Sequence, residues 1–405
     1  MLTAGCPAKF KTMAQPKTLT PAQEAAYNAL AIPLDHRIII SLDGGGVRGI
    51  LTLQLLKKIE EIAGIPCYQF CDLVAGTSTG AIISGLMAFG KTAIEIEQLY
   101  IQFVTKVFLK RNLLSDRFLN PPKYDKKNYR QALKDLLQNT TLKEASSLTG
   151  MDIFITAKDV TDNEETFFTC FNKNGQTYGT YQNALLRAVM ETTMSAPTYF
   201  HPLERFVDGG TTTYNTPSVA ALLEACCYDG SGKYDRDKIT LFSLGTGTLV
   251  KSVSPEEAFN PKGLDVYFWL NYVLDESSQD ASSMQADFMR AGFVKTDYRR
   301  FQLSLDSQTL QKLPDINIEN LHITNAKWLR DVPDEELRNM EMDDVSKFQL
   351  LQVIGDAMVQ YIMADNQFKS DLVIKGRDAL ITAFGNVSRI QQMLSDPDWL
   401  DNMDS

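Results

Sequence analysis

Arg37-Ile38-Ile39-Ile40-Ser41-Leu42 runs straight into Asp43-Gly44-Gly45-Gly46-Val47-Arg48-Gly49, and this stretch decides the architecture. The first six residues form a β-branched run whose apolar side chains do not alternate with polar ones, as expected of a strand buried on both faces. The glycine cluster breaks that run. From Ile50 the apolar positions Leu53, Leu56, Ile59 and Ile62 recur beside Lys57 and Glu61, which predicts an amphipathic helix ending near Gly64. Strand, glycine turn and helix therefore follow one another without a spacer.

The same unit repeats downstream. Residues 70–75 read as a second strand, 76–80 as a tight turn, and 81–89 as an apolar helix stopped by Gly90. Further strand candidates lie at 151–157, 166–171 and 239–244, with a helical pattern between Tyr181 and Met194. Strands alternating with helices imply an α/β fold with a mainly parallel central sheet flanked by helices.

The 405 residues are long enough for more than one average domain. The text divides into a leader at 1–36, a catalytic α/β domain at 37–310 and a helical C-terminal extension at 311–405. Pro7, Pro16, Pro21 and Pro33 punctuate the leader, which offers one helical candidate at 21–30. In the extension, Asp334, Glu335, Glu336, Glu341, Asp343 and Asp344 precede an apolar-periodic stretch at 348–363.

A formal net charge of -10 argues against nucleic acid as a partner, since neutralising phosphates requires a dominant basic face. No apolar run approaches the roughly 18 residues needed to span a bilayer. The six cysteines are scattered, without repeated C-x-x-C pairs, which suits reduced thiols and a cytoplasmic setting.

Three short motifs carry chemistry. Gly76-Thr77-Ser78-Thr79-Gly80 sits between a strand and a helix, where a sharp turn can lift the Ser78 hydroxyl clear of the backbone. A glycine-rich turn with Ser78 merely capping the helix is the plainer alternative. A serine nucleophile needs a proton acceptor, yet the only histidines are His36, His201 and His322, none in a suggestive setting. Residues 43–49 can converge backbone N–H groups on an anion at a helix N-terminus. Residues 44–49 also match G-x-G-x-x-G, but a dinucleotide fold wants an acidic residue closing the second strand about 20 residues later, and that strand runs instead into Ala75-Gly76-Thr77-Ser78, so an oxyanion hole is the better reading. The third motif, Val207-Asp208-Gly209-Gly210, is by itself an ordinary turn.

Taken together the three motifs, with Ser195-Ala196-Pro197-Thr198-Tyr199-Phe200 and Asn215-Thr216-Pro217 between and after them, resemble the patatin-like phospholipase family in order and spacing over roughly residues 37–250. The resemblance implies a lipid acyl hydrolase with Ser78 as nucleophile, held in an elbow made by Gly76, Thr77, Thr79 and Gly80. Asp208 would be its partner in a Ser-Asp dyad, and Gly44, Gly45 and Gly46, with Arg48 and Gly49, would form the oxyanion hole. It implies no metal and no cofactor. The substrates it implies are membrane lipids, phospholipid or galactolipid, cleaved at their acyl esters. An aspartate with an ordinary pKa near 4 is ionised at pH 7 and can take the serine proton.

A lipase must also reach its substrate. Lys106, Lys110, Arg111, Arg117, Lys123, Lys126, Lys127 and Arg130, interleaved with Phe108, Leu109, Leu113, Leu114 and Phe118, could contact anionic lipid peripherally. By analogy alone, the long segment 250–405 leaves room for a small-molecule activator. Two rival readings stand beside the lipase: a soluble carboxylesterase using a Ser-His-Asp triad through His322, and a non-catalytic lipid-binding or storage protein. Oligomeric state is left open.

Overall fold

In the computed structural model the described residues are 17–108, 123–171, 181–228, 232–249, 266–292, 294–338, 340–365, 367–376 and 395–397. Nine strands build the sheet among them: β1 Arg37–Leu42, β2 Leu73–Gly76, β3 Asp152–Asp159, β4 Glu164–Thr169, β5 Phe206–Asp208, β6 Ile239–Leu244, β7 Thr248–Leu249, β8 Asp297–Leu305 and β9 Leu372–Ile374. The order is β4-β3-β2-β1-β6-β8-β7, with β5 also on β3 and β9 on β8. Only the β3 pairings with β4 and β5 are antiparallel.

The fold expected from the first glycine unit is present. All of β1 after Arg37 is buried, because apolar clusters cover both faces of the sheet: Ile38, Ile40 and Leu42 face one, Ile39 the other. In register, Leu42 lies opposite both Gly76 of β2 and Leu244 of β6. The two glycine turns therefore leave the sheet side by side at the carboxyl ends of parallel strands, where α/β folds place their sites.

Helix Gly49–Ala63 follows the first turn and ends on Gly64 in the left-handed conformation, whereas Thr79–Ala88 follows the second and is buried on all sides. That total burial explains why its sequence is apolar all round rather than striped. The predicted strand at 70–75 shifts. Residues Cys67–Phe70 form a short helix and the strand is Leu73–Gly76, since Pro66 starts a helical turn more readily than a strand.

Strand β8 went unread in the sequence because Arg299 and Arg300 lie at its centre; both are buried and hydrogen-bonded. Beyond it, helix Phe348–Ala364 packs on helix Gly49–Ala63, and β9 joins β8 in parallel. Of the leader, 1–16 lies outside the described residues. Helix Pro21–Ala29, capped by Thr20 and Gln23, corresponds to the candidate at 21–30. Among the described residues, no helix is long and apolar enough to cross a membrane.

Candidate active site

Gly76 and Gly80 create the second turn by their lack of side chains. A Cβ at Gly76 would fall 2.5 Å from the Gly80 carbonyl oxygen, and one at Gly80 would fall 2.3 Å from that of Leu42. Those are backbone neighbours that cannot swing away. Ser78, between them, sits at φ +52° and ψ -121°, which L side chains rarely adopt. Its N–H donates to Thr193 Oγ1 at 2.8 Å, so the side chain projects while the backbone is held. Thr77 pins the turn from below, its hydroxyl meeting Thr156 Oγ1 at 2.6 Å and the Tyr214 carbonyl at 2.8 Å. Thr79 is buried at the first helical position.

The projected Ser78 hydroxyl donates to Asp208 Oδ2 at 2.6 Å. Asp208 closes β5, and its register opposite Ala157 of β3 carries it across the sheet end to the elbow. Its second oxygen, Oδ1, accepts the Gly210 N–H at 2.7 Å, and its own N–H donates to the Ser195 carbonyl at 3.1 Å. Asp208 is only 4% exposed. Burial therefore raises its pKa to about 6, opposed by the hydrogen bonds from Ser78 and Gly210. The expected ordinary value near 4 is thus corrected upward. The carboxyl remains roughly nine-tenths ionised at pH 7 and becomes a better proton acceptor than an unperturbed aspartate.

The first turn contributes backbone rather than side chains. Gly44 touches the elbow: a Cβ there would lie 3.2 Å from Ser78 Cβ and 2.4 Å from Asn215 Oδ1. Several amides of the turn are already engaged. Gly44 N–H donates to the Asn215 carbonyl, Val47 to that of Met342, Arg48 to that of Gly45, and Gly49 to those of Gly46 and Val47. Gly45 and Gly46 are the two amides of the turn that donate to no acceptor among the described residues. Arg48 is half-buried, its Nε donating to the Gly45 carbonyl at 3.3 Å.

Two holding residues, Thr193 and Arg300, escaped the sequence reading. Thr193 looked like part of an ordinary helix end. Arg300 binds Asp43 through both guanidinium nitrogens, at 3.0 and 2.6 Å, with each side chain 4% exposed; Thr216 adds its hydroxyl to the same carboxylate at 2.9 Å. The available signal was Phe301, Leu303 and Leu305 alternating with Gln302 and Ser304 directly after the two arginines. Lys126, read as a surface cation, is buried instead, donating from Nζ to Ser195 Oγ at 2.6 Å and pairing with Glu191 at 3.4 Å. Of its basic stretch, 109–122 lies outside the described residues, while Lys123 and Arg130 pair with Asp343 and Glu191. No histidine hydrogen-bonds to Ser78 or Asp208 among the described residues. His36 meets Thr240, and His201 and His322 are exposed.

The site thus brings an elbow serine and a buried aspartate together beside a glycine turn, at the carboxyl edge of a mainly parallel sheet. Residues 40–222 match the patatin-like phospholipase family model. Patatin-like protein 2 of Oryza sativa subsp. indica is 29% identical over 222 residues, covering 47% of this chain and 53% of that one. Patatin-like protein 2 of Arabidopsis thaliana is 26% identical over 364 residues, covering 77% and 84%. A cUMP-AMP-activated phospholipase of Escherichia coli is 47% identical over a shorter 74 residues, 18% of this chain and 23% of that one. The chain spans about half the length of the rice relative.

Proposed function

We propose that this protein hydrolyses the acyl esters of membrane glycerolipids from a peripheral position, with residues 37–310 as its catalytic domain and 311–405 as an addition. The 2.6 Å hydrogen bond from a strained, projecting Ser78 to a buried Asp208 carries this reading. As Ser78 Oγ attacks the ester carbon, its proton passes to Asp208 and the carbonyl oxygen becomes an oxyanion. The free amides of Gly45 and Gly46 would receive that charge; one such donor is worth about 3 to 4 kcal/mol in comparable sites. Collapse breaks the ester bond, and the Asp208 proton goes to the leaving alcohol. Asp208 then takes a proton from water, whose oxygen attacks the acyl-enzyme, releasing the fatty acid and returning a proton to Ser78.

The name of the Escherichia coli relative supports a further element, a small-molecule activator, although the matched segment is short. The test is release of fatty acid from a fluorogenic phospholipid in EDTA by wild type, S78A, D208A and H322A. S78A and D208A should lose on the order of 10⁴-fold in turnover, and H322A should keep its activity. A dead H322A would instead favour the triad, and a wild type that binds lipid without covalent labelling by a serine-directed phosphonate would favour the binding protein.

A further inference from the structure

Residues 340–345 lie outside the segment that matches the family, yet they close on the glycine turn. The Met342 carbonyl accepts the Val47 N–H at 2.8 Å. Gly46, at φ +59°, lies so close that a Cβ there would come within 2.0 Å of the same oxygen. The next residue, Asp343, is 8% exposed, and its carboxylate takes both the Tyr124 hydroxyl and the Lys123 ammonium. Those partners are themselves fixed, since the N–H groups of Lys123 and Tyr124 donate to the Thr198 and Tyr199 carbonyls at 3.0 Å. Just downstream, helix Phe348–Ala364 packs on helix Gly49–Ala63, which begins at the glycine turn. The short segment is thus fastened on both sides of the turn it covers.

We propose that 340–345 is a positioning strap for the oxyanion turn, with Asp343 as its latch. Val47 is fully buried. Without the Met342 carbonyl its N–H would have to find another acceptor, and the glycines around it would rearrange to provide one. With the strap in place, Val47 is satisfied from outside the turn, and Gly45 and Gly46 keep their amides free. Asp343 touches no reacting atom; it acts through Met342. The catalytic part of this inference rests on the oxyanion role proposed above, whereas the structural part does not.

The experiment compares wild type, D343A and D343N in two measurements: hydrogen–deuterium exchange of the peptide covering 43–49, and steady-state hydrolysis of the fluorogenic phospholipid. D343A should exchange faster across 43–49 and lose kcat by on the order of 10- to 100-fold, with KM held within about twofold because lipid binding is untouched. D343N should fall between the two, since its amide oxygen still accepts from Tyr124 but no longer pairs with Lys123; it also serves if D343A does not fold. Unchanged exchange overturns the strap. Faster exchange with kcat intact overturns its catalytic part. Faster exchange in a protein whose wild type releases no fatty acid leaves the latch standing and removes the hydrolase reading instead.

Discussion

The two glycine turns leave neighbouring parallel strands in register, and both open a helix, yet they are built on opposite principles. At 76–80 the glycines serve close packing: their missing side chains let the following helix press against the backbone, and the strain is concentrated in Ser78. At 43–49 the glycines free the backbone, and the turn is held by residues far away in sequence, Asn215, Thr216, Arg300 and Met342. The turn at 76–80 takes its strained shape from its own glycines and serine, with Thr193, Thr156 and Tyr214 steadying it, whereas that at 43–49 is held chiefly by its surroundings. A projecting side chain rests mainly on local sterics, whereas uncommitted amides need every neighbouring donor satisfied elsewhere.

The sharpest way to break this comparison is to release the remote anchor. R300M leaves Asp43 buried without its guanidinium partner, which should cost about 3–5 kcal/mol in stability, measured by urea unfolding, with a parallel loss of kcat. The double variant D43L/R300M should recover much of that stability, since a buried pair replaced by apolar residues is often near neutral, but not the activity. If R300M alone leaves turnover intact, the first turn is as self-sufficient as the elbow and the contrast fails.

This difference also explains what the sequence disclosed. The elbow was legible because its determinants are contiguous: two glycines four apart, a serine between them, a strand before and an apolar helix after. Asp208 became legible only in company, because Asp-Gly-Gly is otherwise a turn, and its pairing with Ser78 depends on β5 meeting β3. The anchors of the first turn were not legible. Arg300 sits on a strand hidden by its own charges, and Met342 contributes a carbonyl that any residue could supply. Lys126 misled in the other direction, since a lysine in a basic stretch gives no sign that it will be buried on Ser195.

The elbow's partner carboxylate carries its own cost, and pH exposes it. Burial holds Asp208 at about 6 against an ordinary 3.8, so the folded state prefers the protonated form. The associated stability is fully present below the ordinary value and is lost as pH rises from about 4 through 6. At pH 7 D208N should therefore be more stable than wild type by about 1–3 kcal/mol, and the gain should vanish at pH 4; urea midpoints at the two pH values measure it. The same titration gives wild-type kcat/KM an acid limb near pH 6. A D208N protein less stable than wild type at pH 7 would mean the carboxylate braces the elbow, reversing the contrast drawn here.

The smallest expected effect isolates the strain itself. S78A and S78G both remove the hydroxyl and its bond to Asp208, so they differ only in the Cβ that must sit at φ +52°. Strained backbone of this kind costs about 1–3 kcal/mol, and the greater freedom of glycine in the unfolded chain returns about 0.5–1 kcal/mol of it. S78G should therefore be more stable than S78A by about 1 kcal/mol, seen as a higher urea midpoint with an unchanged slope. Equal midpoints would show that the turn relaxes around alanine, and that its geometry is set, like that of its neighbour, by what lies around it.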